Sequence, residues 1–274
     1  MTYPQRVPSR TALPRRRAAW AVSAVAVAAV AVVLAVAWRP WAAPAGPAAA
    51  SGPDAVVAVD APPLSLPAQA RVLVFGDSWT YGSAATDPSL GYAYVLSELT
   101  GWTTVVDGVR GSGYLKPGID GPSFGDRIAA LDPALDPDLV IVQGSINDRK
   151  QGAAGYRDAV DAAWDALAGT YPDARIVILG PAPQVLPVEA ATARIDRDLA
   201  DLAAARGWWY LSPIAEGWIT DENYRDVIDT GPVGRDHPST VGHAYLADRL
   251  AEDLAAITEA PVVAAEPAPE PLVP

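Results

Sequence analysis

Five short apolar runs at nearly constant spacing do most to limit what this chain can become. "RVLVF" begins at Arg71, "TTVV" at Thr103, "DLVIV" at Asp138, "ARIVIL" at Ala174 and "WWYL" at Trp208, so successive starts lie 32, 35, 36 and 34 residues apart. Runs this short and this uniformly apolar read as strands buried on both faces, the pattern of a parallel sheet. Each interval has room for one helix and two loops, the content of a βαβ crossover. Helical patterns fill the intervals. "YAYVLSEL" and "DRIAAL" are short ones, and "YRDAVDAAWDALAGTY" puts Tyr156, Val160, Ala163 and Leu167 on one stripe. A further helix covers Glu189 to Arg206, and a last one follows Ser239 as N-cap and runs to about Ile257. The expected fold is α/β: a three-layer, flavodoxin-like sandwich with a five-stranded parallel sheet and right-handed crossovers.

That pattern occupies residues 70–257, and the flanks differ in kind. Residues 1–17 form a basic tail holding Arg6, Arg10, Arg15, Arg16 and Arg17. Residues 18–38 are an uncharged run with Trp20 at one end and Trp38 and Trp41 at the other, long enough as a helix to cross a bilayer. A cleaved signal peptide is the competing reading, with "WAAPAGPAAA" offering small residues to a peptidase. The run is longer than a usual signal core, which favours an anchor. The arginine asymmetry keeps the basic tail in the cytoplasm and sends the rest outside. Residues 42–69, rich in Ala and Pro, read as a linker, and 258–274 as a disordered tail. All 32 acidic residues follow Trp41, so the net charge of −12 understates how acidic the exported part is. Such a field repels nucleic acid. With no cysteine and only two histidines, His237 and His243, neither a disulfide framework nor a multi-histidine metal centre can be built.

In open parallel sheets chemistry collects beyond the carboxyl ends of the strands. Gly76-Asp77-Ser78 follows the first run, and the Gly-rich "DGVRGSGY" follows the second, with Gly108, Gly111 and Gly113. "QGSINDRK", with Asn147 and Asp148, follows the third, and "GRDHPSTVGH", with His237, precedes the last helix. A serine hydroxyl needs a base within hydrogen-bond reach to act as a nucleophile, and His237 is the one suited to that role. His243 falls on the last helix and reads as structural. Asp77 and Asp148 read as loop-holding residues, and Trp79 as a residue that could line a pocket.

These four blocks, in this order, resemble the SGNH (GDSL-type) hydrolase superfamily over essentially the whole of Arg71 to Ile257. The resemblance implies an extracytoplasmic serine esterase acting through an acyl-enzyme, with no cofactor and no metal. It implies Ser78 as nucleophile, His237 as base, and the Ser78 N–H, the Gly111 N–H and the Asn147 side-chain amide as oxyanion donors. Acyl esters of carbohydrate or lipid are the implied substrates.

One departure stands out. The family places Asp three residues before its His, and here that position is Gly234. The orienting group is therefore Asp236, Asp229 or no carboxylate at all, a backbone carbonyl serving instead. Two other functions stay open: a sugar O-acyltransferase using the same residues, and a glycan-binding module that has lost activity.

Overall fold

The computed structural model describes residues 63–258. The five apolar runs become β1 (Arg71–Gly76), β2 (Thr103–Gly108), β3 (Leu139–Gln143), β4 (Arg175–Leu179) and β5 (Trp209–Leu211). They form one parallel sheet in the order β2-β1-β3-β4-β5. This is the doubly wound order of the flavodoxin-like fold, with its switch point between β1 and β3.

Alternation along the strands explains the three layers. Val72, Val74, Leu139, Ile141, Val177 and Leu179 point to one side. There they meet the helices α2 (Tyr92–Thr100) and α7 (Thr240–Thr258), through Leu96, Leu246, Leu250 and Leu254. The intervening residues Leu73, Phe75, Val140, Val142, Ile176 and Ile178 point to the other side. They pack on α3 (Phe124–Ala129), α4 (Tyr156–Thr170) and α5 (Ala190–Ala205). The stripe Tyr156, Val160, Ala163 and Leu167 is buried as its spacing predicts, with Trp164 added to it. Three central strands are thus covered on both faces, whereas β2 is a half-exposed edge.

Three short elements escape the periodicity. They are α1 (Ser78–Tyr81), α6 (Tyr224–Val227) and a two-residue antiparallel ladder of β6 (Ile228–Asp229) with β7 (His237–Pro238). A single helical turn carries no repeat to detect. Ser239 caps α7 as expected, its Oγ accepting from the Gly242 N–H at 3.0 Å.

The expected linker 42–69 is too long at its far end. Leu64 is 1% exposed within the core, and its N–H donates to the Ile257 carbonyl at 3.0 Å. Burying a leucine contributes about 2 kcal/mol, so this stretch belongs to the domain and clamps the end of α7. The expected basic tail, apolar span 18–38 and C-terminal tail beyond Thr258 lie outside the described residues. Among the described residues no helix is long and apolar enough to cross a membrane.

Candidate active site

β1 ends by tightening directly into a helical turn. Asp77 caps α1, its Oδ1 accepting from the Trp79 N–H at 3.0 Å, and Ser78 becomes the first helical residue. Ser78 Oγ lies 2.9 Å from His237 Nε2. Those residues are 159 positions apart in sequence, and β7 is what delivers the histidine. On the opposite ring edge, Nδ1 lies 2.8 Å from the Gly234 carbonyl oxygen and 3.1 Å from that of Arg235. Carbonyl oxygens only accept, so in the neutral ring Nδ1 carries the hydrogen and Nε2 is left with its lone pair. That tautomer lets Nε2 accept the Ser78 hydroxyl proton.

Neither the Asp236 nor the Asp229 carboxylate hydrogen-bonds to the His237 ring, although Asp229 pairs with His237 in the β6–β7 ladder. Asp229 Oδ1 instead accepts from the Gly231 N–H at 2.8 Å, and its carbonyl accepts from Asp236 N–H at 2.9 Å. A Cβ at position 234 would stand 2.2 Å from Asp229 Cγ. The turn has given the space of the family's usual Asp side chain to Asp229, and only glycine fits there.

The Gly-rich loop after β2 bends back over the serine, and Gly111 has φ +73°, a conformation that favours glycine. Of the three loop glycines, Gly108 ends β2, and the Gly113 N–H donates to the Lys116 carbonyl at 3.0 Å. Among the described residues the N–H groups of Gly111 and Ser78 have no protein acceptor, which leaves both available to a ligand oxygen. Asn147 differs. Its Nδ2 donates to Asp77 Oδ2 at 3.1 Å and to the Ser112 carbonyl at 3.0 Å, so both amide hydrogens are engaged. To meet an oxyanion it must release one of them.

Beneath these residues lies a buried polar layer. Asp77 is fully buried, and that burial pushes its carboxyl up to about 7 despite the Trp79 N–H and the nearby Arg127 charge. The Gln143 amide is satisfied when its nitrogen faces Asp77 Oδ1 and Thr80 Oγ1, each at 3.1 Å. Asp148 accepts from the N–H groups of Tyr114 at 2.8 Å and Leu115 at 3.1 Å and from the Ser145 hydroxyl, pinning the second loop to the third. Asp77 and Asp148 are loop-holding residues, as their sequence context predicts.

Arg127 was not legible as part of this layer. It is 7% exposed and donates to the Gly76 carbonyl (2.9 Å), Ser112 Oγ (3.0 Å) and Asp107 (2.7 Å to Oδ1), with its guanidinium 4.1 Å from the Phe75 ring centroid. It ties the ends of β1 and β2 to the oxyanion loop. The one available signal is an arginine within the short apolar pattern "DRIAAL". His243 is buried between layers; its Nδ1 accepts from Tyr92 N–H at 3.2 Å and its Nε2 donates to the Ser83 carbonyl at 3.0 Å. Burial drives its imidazole down to about 4, so it stays neutral and structural. Trp79 is buried in the core rather than placed along the cleft.

Ser78, Gly111, Asn147 and His237 all line one cleft of about 630 Å³. The family model for the GDSL-like lipase/acylhydrolase family matches residues 74–263. The chain belongs to the GDSL-like lipase/acylhydrolase family. Within that family it is 31% identical over 145 residues to GDSL lipase Rv0518 of Mycobacterium tuberculosis, an alignment spanning 51% of this chain and 59% of that protein. The GDSL-like fold is shared with a lipolytic G-D-S-L protein from Desulfitobacterium hafniense, at TM-score 0.55 and 15% identity over 67% of this chain and 99% of that one. It is also shared with a carbohydrate acetylesterase family member from Sinorhizobium meliloti, at TM-score 0.54 and 14% identity over 69% of this chain and 99% of that one.

Proposed function

We propose that this GDSL-like protein is a serine esterase working through a Ser78–His237 dyad oriented by backbone carbonyls. The observation that carries this reading is the 2.9 Å contact between Ser78 Oγ and His237 Nε2, with Nδ1 held by the Gly234 carbonyl at 2.8 Å. Ser78 Oγ attacks the ester carbon while Nε2 takes its proton. The oxygen that gains charge is met by the Ser78 and Gly111 N–H groups, and by Asn147 once it turns from Ser112 or Asp77. Collapse expels the alcohol, which recovers the proton from Nε2. Water then repeats the sequence on the acyl-enzyme and releases the acid.

Membership of the GDSL-like family and the fold shared with a carbohydrate acetylesterase family member support acyl esters of lipid or carbohydrate, and a formed Ser–His pair supports catalysis over glycan binding alone. Hydrolysis of p-nitrophenyl acetate tests the reading: the wild type turns it over and Ser78→Ala does not. Wild-type rates in the folded alanine variant would overturn it. The arginine asymmetry around residues 18–38 supports an extracytoplasmic location. Protease added to intact cells then reaches the domain; protection until lysis would reverse that orientation.

A further inference from the structure

The walls of the cleft carry the charge opposite to that of the protein. The chain has a net charge of −12, yet Asp236 is the one carboxylate among the residues lining the cleft. Its walls include Lys116 and Lys150, the chain's two lysines, together with Arg110, Arg149 and Arg235. Two of these are neutralised: Arg110 grips Asp120 at 2.6 and 2.9 Å, and Arg149 pairs with Glu189 at 2.8 Å. Lys116, Lys150 and Arg235 form no ion pair with any carboxylate among the described residues. Lys116 Nζ donates one hydrogen to the Gly111 carbonyl at 2.6 Å, which leaves its other two for the cleft.

The cleft differs from the rest of the chain in its excess of cations over carboxylates. On a surface so rich in carboxylates a cation readily finds a partner. Some arginines elsewhere do, Arg157 meeting Asp198 and Asp201 and Arg206 meeting Asp161 and Asp165, whereas Arg175, Arg197 and Arg225 form no ion pair among the described residues. Three of the six unpaired cations among the described residues, Lys116, Lys150 and Arg235, line the cleft, where only one carboxylate stands among the lining residues. Lys116 follows the Gly111 loop, Lys150 lies three residues past Asn147, and Arg235 lies two before His237. A concave wall of one sign focuses its field and raises the local concentration of the opposite charge. The acidic body repels anions at a distance, so the lining rewards those whose charge comes to rest next to the ester.

We propose that the cleft selects acyl esters that carry an anionic group, a carboxylate or a phosphate, close to the scissile bond. The proposal rests on the esterase reading above. It is tested on the full chain with two matched pairs of esters, each rate divided by that ester's own rate with hydroxide. The mono-p-nitrophenyl ester of adipic acid against p-nitrophenyl hexanoate puts the charge on the acyl side. 4-Acetoxybenzoate against methyl 4-acetoxybenzoate puts it on the alcohol side. In at least one pair the charged ester is preferred in kcat/KM by about tenfold or more at low salt, and the preference shrinks as salt rises to about 0.5 M. The double variant Lys150→Gln, Arg235→Gln brings the charged-to-neutral ratio down toward one; Lys116 is left in place because it holds the Gly111 loop. Turnover of the neutral esters with no charge preference in either pair, or a ratio unchanged in the double variant, overturns this proposal alone. No turnover of any ester would bring down the esterase reading and this one with it.

Discussion

His237 Nδ1 lies 2.8 Å from the carbonyl oxygen of Gly234, the residue at the position where the family's Asp-x-x-His pattern places its carboxylate. In the proposed dyad the task of fixing the imidazole tautomer passes at this position from side chain to backbone. What is lost is a negative charge opposite the imidazolium that forms in each step, because a carbonyl dipole stabilises that cation less than a carboxylate does.

The first prediction follows from that exchange. Asp236→Asn and Asp229→Asn each lower kcat by less than about tenfold, whereas loss of a true orienting Asp can cost roughly 10⁴. Steady-state kinetics on p-nitrophenyl acetate decide it, and a drop of several thousandfold in either variant would name that residue as the acid. Gly234→Ala lowers the melting temperature, since its Cβ meets Asp229 at 2.2 Å.

Asn147→Ala lowers kcat by about 10²-fold with a smaller change in KM, as expected of a donor used mainly in the transition state. It also leaves Asp77 Oδ2 and the Ser112 carbonyl without this partner. A kcat within twofold of wild type would mean that the amide stays tied to those two groups and that the two N–H donors suffice.

Stability depends on pH through two buried groups with opposite signs. His243 titrates at about 4 when folded and near 6.5 when unfolded. Between those values the unfolded chain binds more protons, so stability falls as pH drops from about 6.5 to 4, by up to about 3 kcal/mol. Asp77 titrates at about 7 when folded against 3.8 unfolded, so in this window the folded chain binds more protons. Its contribution falls as pH rises from about 4 to 7, by up to about 4 kcal/mol. Urea unfolding of His243→Gln and Asp77→Asn across pH 4 to 8 separates the two. The first variant flattens the acid-side loss and the second flattens the opposite slope; unchanged slopes would refute both assignments.

Replacing Arg127 by Met is predicted to destabilise the domain by about 2–3 kcal/mol, because it strips a part-buried ion pair of one partner and takes one donor each from the Gly76 and Asp107 carbonyls. Denaturant unfolding measures it. A loss below about 1 kcal/mol would mean that the polar layer under the site does not depend on this residue.

The strands were legible because each is a run buried on both faces, and helices such as α4 because their stripes repeat over several turns. The gathering of Ser78, Gly111, Asn147 and His237 in one cleft was legible from three blocks at strand ends and one before the last helix. What the sequence hid is local or long-range. The single turn of α1 and the two-residue ladder that presents His237 have no period to read. The engagement of Asn147 by Asp77 spans 70 residues and depends on where two loops stop. The choice between Asp236, Asp229 and a carbonyl was open because it turns on a loop with positive φ at both Arg235 (+47°) and Asp236 (+62°). Residue types that rarely adopt that conformation do not announce it.

The central claim is that His237 activates Ser78. A fluorophosphonate probe followed by peptide mapping tests it directly, since the probe bonds only to an activated hydroxyl. The account predicts one adduct per chain, located on Ser78, absent in Ser78→Ala and strongly slowed in His237→Ala. An adduct on another residue, or undiminished labelling in folded Ser78→Ala protein, would contradict it.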